Sequence, residues 1–130
     1  MGVRAPYIED VTTSTDDLTL PAVVLQHART FGDKPFIEIW HDGEGVCASL
    51  SFSELAVGML STARWLRVTH HVDASLQYVA LLAHNSVQFV LISLATMYLG
   101  ATAVHLNWQQ PIDTVRVLLE GLRVRLLFVS

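Results

Sequence analysis

The sequence predicts an α/β chain: a partial doubly wound, mostly parallel sheet preceded by an N-terminal β-hairpin. Three observations predict it. An Asp42-Gly43 turn separates two strand-like runs, PFIEIW and VCASLSF. A Ser51-x-x-Glu54 pair then opens a long helix. Beyond it the apolar runs YVALLA and ATAVHL flank VQFVLISLATMYL, a helix-length segment with cap residues before it and Gly100 after it.

The composition supports a folded chain of limited size. Of its 130 residues 52% are hydrophobic and only 15% charged, enough for a core but too short a chain for a complete large enzyme. The net charge is −4, and the eight Lys and Arg residues form no basic stripe, so nucleic acid is not an expected partner. Cys47 is the one cysteine, which excludes an internal disulfide and fits a reducing, cytoplasmic or other intracellular compartment. The N-terminus lacks the apolar stretch of a secretory signal, and its acidic residues argue against a transit peptide.

Residues 1–18 are polar, with the run TTSTDD at positions 12–17, and are expected to form a flexible leader; residues 19–130 are expected to form the folded unit. Thr19 can cap a helix that tolerates Pro21 in its first turn, presents Leu20, Val23, Val24, His27, Ala28 and Phe31 on one face, and stops at Gly32. In the hairpin, Val46, Ala48, Leu50 and Phe52 alternate with smaller or polar residues on one face of the strand, opposite Cys47. Leu50 and Leu55 are spaced as a hydrophobic staple across the capping box, and Leu55, Ala56, Met59, Leu60, Ala63 and Leu66 then recur at helical intervals. Arg64 and Arg67 fall near the C-terminal end of that helix, where cations are favoured.

After the linker THHVDAS comes a β-α-β unit whose helix is capped by Asn85 or Ser86 and stopped by Gly100. Its strands are continuous apolar runs and its helix is apolar nearly all round, the pattern of a parallel sheet covered on both faces. No Asp, Glu, Lys or Arg occurs between Asp73 and Asp113; Gly100 and the β-branched Thr102 and Val104 divide that run into helix and strand, so a buried core is expected rather than a transmembrane span. A last helix starts at Pro111, turns Ile112, Val115, Leu118, Leu119 and Leu122 inward, and leads through Gly121 to the strand RLLFVS.

Few residues carry obvious chemistry. Neither G-x-x-x-x-G-K-[ST] nor a strand-linked G-x-G-x-x-G occurs, so the usual backbone cradles for phosphates are missing. His70 and His71, with Asp73 near, read as a solvated linker rather than a metal site, because adjacent residues point apart. Cys47 has no nearby base and reads as a small packing residue, and Trp40, Trp65 and Trp108 likewise read as packing. His84 and His105 end successive strands, where open α/β sheets bind ligands, and are candidates to approach a substrate.

The strings TLPAVVLQHARTFGDKP, SFSEL, VALLAHNSVQFVLISLATMYLGATAVHLN and RLLFVS, in this order, resemble the opening of the large domain of the adenylate-forming superfamily. That superfamily includes acyl-CoA synthetases, coumarate ligases, luciferases and peptide-synthetase adenylation domains. Ser51, Phe52, Glu54 and Leu55 approximate its Thr-Tyr-x-Glu-Leu helix start. Val79, Ala80, Asn85 and Ser86 match Val-Ala-x-x-x-x-Asn-Ser, and Gly100, Ala101, Leu106 and Asn107 match Gly-Ala-x-x-x-Pro-Leu-Asn. His84 and His105 replace the family's prolines, and the linker lacks its Gly-Asp, which fits a divergent branch or a decaying copy.

The resemblance implies ATP-dependent activation of a carboxylic acid to an acyl-adenylate and transfer to CoA, with magnesium, as in fatty acid metabolism. In relatives the Ser/Thr/Gly-rich phosphate loop and the catalytic lysine lie beyond the position of Ser130, so the chain is expected to be a fragment not competent alone, with no catalytic, cofactor-binding or metal-binding residue. His84, Asn85, His105 and Asn107 are its substrate-proximal candidates. The alternative expectation is a non-enzymatic interaction or scaffold domain, able to self-associate through an exposed sheet edge.

Overall fold

The computed structural model of the chain describes residues 18–76 and 78–130; the expected leader, apart from Leu18, lies outside the described residues. The elements are α1 (Leu20–Phe31), the hairpin β1 (Pro35–His41) and β2 (Gly45–Ser51), α2 (Phe52–His70), β3 (Tyr78–Leu82), α3 (Val87–Tyr98), β4 (Thr102–His105), α4 (Ile112–Gly121) and β5 (Leu126–Val129). β3, β4 and β5 form a parallel sheet in the order β4-β3-β5, and the antiparallel hairpin is a separate two-stranded sheet. The expected α/β class and parallel sheet are thus present.

Local chemistry sets the element ends. The Thr19 side chain accepts the Ala22 N–H at 3.3 Å and opens α1. At α2 both halves of the capping box form: Glu54 N–H donates to Ser51 Oγ at 3.1 Å and Ser51 N–H to Glu54 Oε2 at 2.8 Å. Ser86, not Asn85, caps α3, its Oγ accepting the Phe89 N–H at 3.1 Å. α3 ends in a Schellman motif, with Gly100 N–H on Met97 O and Ala101 N–H on Thr96 O, and Gly100 supplies the left-handed residue at φ +83°.

The sheet is covered on both faces, as expected for a doubly wound arrangement. Val79, Leu126 and Phe128 face a cluster with Ala63 and Leu66 of α2 and Ala95 of α3. Ala80, Leu82, Val104 and Leu127 face the other way, onto Val115 and Leu119 of α4. A third cluster joins α1, α2 and α3 through Val24, Leu55, Met59 and Leu94. α2 and α3 approach closely at Gly58, where a Cβ would lie 2.9 Å from Leu91 Cδ2. Residues Ser93 to Thr96 are buried in succession, so this turn of α3 is enclosed on every side, and its two buried hydroxyls are satisfied by bonds to Phe89 O and Ile92 O, both 2.7 Å.

Several side chains depart from the sequence reading. Leu20, Leu60, Ile112 and Leu118, expected on packing faces, are exposed, Ile112 at 74%, and so is Val46 of the hairpin. The hairpin packs near its base, through Ile37 against α1 and α2 and Phe36 against Phe52, while Ala48 and Cys47 are in solvent and Cys47 is not a packing residue. Trp40, Trp65 and Trp108 are exposed, although the ring of Trp65 does pack against Phe128. α2 runs on through His70, whose ring edge meets Trp65 at 4.7 Å and Phe128 at 5.5 Å, so His70 belongs to a helix and an aromatic cluster rather than a solvated linker. Among the described residues no helix is long and apolar enough to cross a membrane.

Candidate functional site

The strand order creates a switch point. From β3 the chain leaves through α3 over one face of the sheet, and from the neighbouring β4 it leaves through α4 over the other. The two connections diverge, which opens a crevice beyond the carboxyl ends of β3 and β4, the place where open α/β sheets take ligands. Leu81 pairs with His105 in register, so residues 83–86 after β3 and 105–108 after β4 come to the same edge. A further ladder-like bond, Leu106 N–H to Leu81 O at 2.9 Å, carries the pairing past the strand end.

All four residues singled out from the sequence lie at this edge, where their chain segments begin or end. The ring of His84 stacks on Trp108 at 4.3 Å between centroids, tilted by 39°. The backbone N–H of His84 donates to Ser130 Oγ at 3.3 Å, tying the end of β3 to that of β5. His105 lies over Phe89 at 4.8 Å, and its Nε2 is 2.8 Å from Ser93 Oγ. Ser93 has one hydroxyl hydrogen and spends it on Phe89 O. His105 must therefore donate from Nε2, which fixes its tautomer and leaves Nδ1 as the acceptor in the neutral ring. Asn85 is exposed, and Asn107 turns its Oδ1 onto the Gln109 N–H at 2.9 Å.

Trp108, Ser93 and Phe89 are the partners sequence reasoning passed over. The 24-residue gap between His84 and Trp108 conceals their contact, and only the parallel pairing of β3 and β4 brings them together. A cavity of 150 Å³ adjoins the crevice, walled by Leu81, Phe89, Ile92 and Phe128 with Ser86 and Ser130 at its polar side.

The arrangement offers stacked rings, amide groups and hydroxyls, but no carboxylate faces either histidine in these contacts. Among the described residues no three His, Cys, Asp or Glu side chains converge. The groups with perturbed protonation lie elsewhere. Burial pushes the His27 imidazole below its ordinary pKa, and hydrogen bonds from Ser75 hold the Asp73 carboxyl below its own.

Against known proteins, a family model described as AMP-binding enzyme matches residues 24–130. Among solved structures, the N-terminal subdomain of NpsA from Klebsiella oxytoca superposes with a TM-score of 0.73 at 21% identity, over 85% of this chain and 27% of that one. O-succinylbenzoate coenzyme A synthetase from Bacillus subtilis, in complex with ATP and magnesium ion, gives 0.71 at 23% identity, over 82% of this chain and 27% of that one. An artificial fusion of NpsA with ThdA, an adenylation and carrier-protein di-domain from Klebsiella oxytoca, gives 0.72 at 21%, over 84% of this chain and 19% of the fusion. The chain thus spans about a quarter of the length of the first two. No curated protein matches it in sequence.

Proposed function

The chain belongs to the AMP-binding enzyme family, and from that premise we propose that it is a scaffold-forming part of an AMP-forming acid–thiol ligase and is not competent for adenylation by itself. The observation that carries the reading is the family match over residues 24–130 together with the parallel β4-β3-β5 sheet. Its share of the reaction is positional. The carboxyl-end edge with His84, Asn85, His105 and Asn107 would border the acid or its thiol acceptor, stacking a planar group on Trp108 and donating hydrogen bonds from the asparagine amides.

ATP, magnesium and CoA are the groups such a ligase uses, and they would be held by parts of the protein other than those described. CoA as acceptor rather than a carrier-protein thiol is the finer part of the proposal, as is a fatty acid rather than an aromatic acid. A reducing intracellular compartment fits the single exposed thiol of Cys47.

Acid-dependent ATP–pyrophosphate exchange tests the reading, measured on the 130-residue chain and on the longest open reading frame that contains it. Exchange by the longer product and none by the chain is the expected result. Exchange catalysed by the 130 residues alone would overturn the scaffold role. If neither exchanges with any acid in a broad panel, the non-enzymatic interaction domain replaces the ligase reading.

A further inference from the structure

A second cavity lies at the opposite, amino-terminal end of the parallel strands. It measures 250 Å³ and is lined by Ser75, Leu76, Tyr78, Leu122, Arg123 and Arg125. Two of the chain's eight basic residues line this one cavity, and its lining contains no carboxylate. The sole ion pair among the described residues is that of Arg116 with Asp113, so neither Arg123 nor Arg125 is neutralised by a carboxylate there.

The end of α4 sets the backbone between the two arginines. α4 ends in a Schellman motif, with Arg123 N–H on Glu120 O and Val124 N–H on Leu119 O, and Arg123 occupies the left-handed position at φ +54°. The chain then runs extended into β5. Val124 packs toward the core with Ala80 and Val115, and Arg123 and Arg125 on either side of it are exposed. The facing wall is fixed as well: Ser75 N–H donates to Asp73 Oδ1 at 2.8 Å, its hydroxyl bonds the same oxygen, and Leu76 N–H donates to Asp73 O at 3.1 Å.

We propose that this cavity binds a phosphate-class oxyanion between the guanidinium groups of Arg123 and Arg125. Guanidinium is the side-chain group whose planar donors fit a tetrahedral oxyanion, and two of them compensate the charge of a phosphate dianion in a chain that is otherwise acidic. The site is separate from the crevice at the carboxyl ends of β3 and β4, and it does not depend on the ligase reading.

Calorimetric titration of the full chain with inorganic phosphate, pyrophosphate and AMP, at constant ionic strength set with chloride, tests it. One saturable site is expected, weakened about tenfold or more in Arg125→Gln and in Arg123→Gly, the loss of a charge-assisted hydrogen bond. Glycine accepts the left-handed backbone at 123, so that variant removes the charge without endangering the fold, which melting curves verify. Arg116→Gln, which breaks the exposed pair with Asp113, leaves the affinity unchanged. Tighter binding of AMP than of phosphate identifies the oxyanion as part of a nucleotide, and equal or weaker binding identifies a free anion; both support the site. Unsaturable heats, an affinity untouched by both arginine variants, or an equal loss in Arg116→Gln would overturn it.

Discussion

Replacing Gly100 by alanine should destabilise the chain by about 2 kcal/mol, and the two causes can be separated. Gly100 has φ +83°, and an L-residue pays roughly 1–2 kcal/mol in the left-handed region, offset by about 0.5–1 kcal/mol from stiffening the unfolded chain. That leaves about 1 kcal/mol for the backbone. The new methyl would also lie 3.1 Å from Ala74 Cβ, tighter than ordinary van der Waals contact, which adds on the order of 1 kcal/mol of overpacking. Gly43 is the internal control, since it has φ +82° and no neighbour within 4 Å of a built Cβ.

Urea midpoints of Gly100→Ala, Gly43→Ala, Ala74→Gly and the double variant Gly100→Ala with Ala74→Gly measure the two contributions. The expected order of loss is Gly100→Ala largest, with the double variant falling below the sum of its single effects because the contact is relieved. Because Gly100 leads directly into β4, the crevice should loosen with it, read as a change in Trp108 fluorescence. An unchanged midpoint in Gly100→Ala, or equal losses at 43 and 100, would refute the packing argument.

Other perturbations have equally definite outcomes. Ser51→Ala removes the acceptor for Glu54 N–H at the start of α2 and should cost about 1 kcal/mol in denaturation, most of it recovered in Ser51→Asp. Leu66→Ala empties a site with 0% exposure between α2 and the sheet and should cost about 2–5 kcal/mol, enough to unfold a marginal chain at 37 °C by circular dichroism. His27, packed against the rings of Phe31 and Phe52, has its pKa lowered by burial, so the unfolded chain takes up the proton first as pH falls through about 6.5. Stability should be level above that pH and decline below it until the folded imidazole also protonates, and His27→Gln should flatten the decline between pH 7.5 and 5.5.

The local grammar of the chain was readable without coordinates. The Ser51/Glu54 box, the Asp42-Gly43 turn, Thr19 and Gly100 mark element ends because they act through bonds that span three or four residues, and such bonds are encoded side by side. The continuous apolar strands and the nearly unbroken apolar helix likewise announced a parallel sheet covered on both faces. The positions of His84 and His105 at the ends of paired strands followed from the same order of elements.

What only the tertiary structure decided is which apolar positions find a neighbour. Ile112, Leu118 and Val46 have the right spacing for burial, yet no described element covers them, because periodicity records a side chain's direction and not what stands opposite. The strand order β4-β3-β5, the stacking of His84 on Trp108 and the bond from His105 to Ser93 join residues 12 to 24 positions apart through pairing that no local pattern contains. The end of α4 shows the limit most plainly. Gly121 suggests the helix stop, but it remains helical, and Arg123 takes the left-handed turn, since the stop falls where Val124 must enter the core. Sequence settled which elements form and in what order; packing across the sheet settled which side chains face a ligand, a core or water, because those contacts are made between segments the chain itself keeps apart.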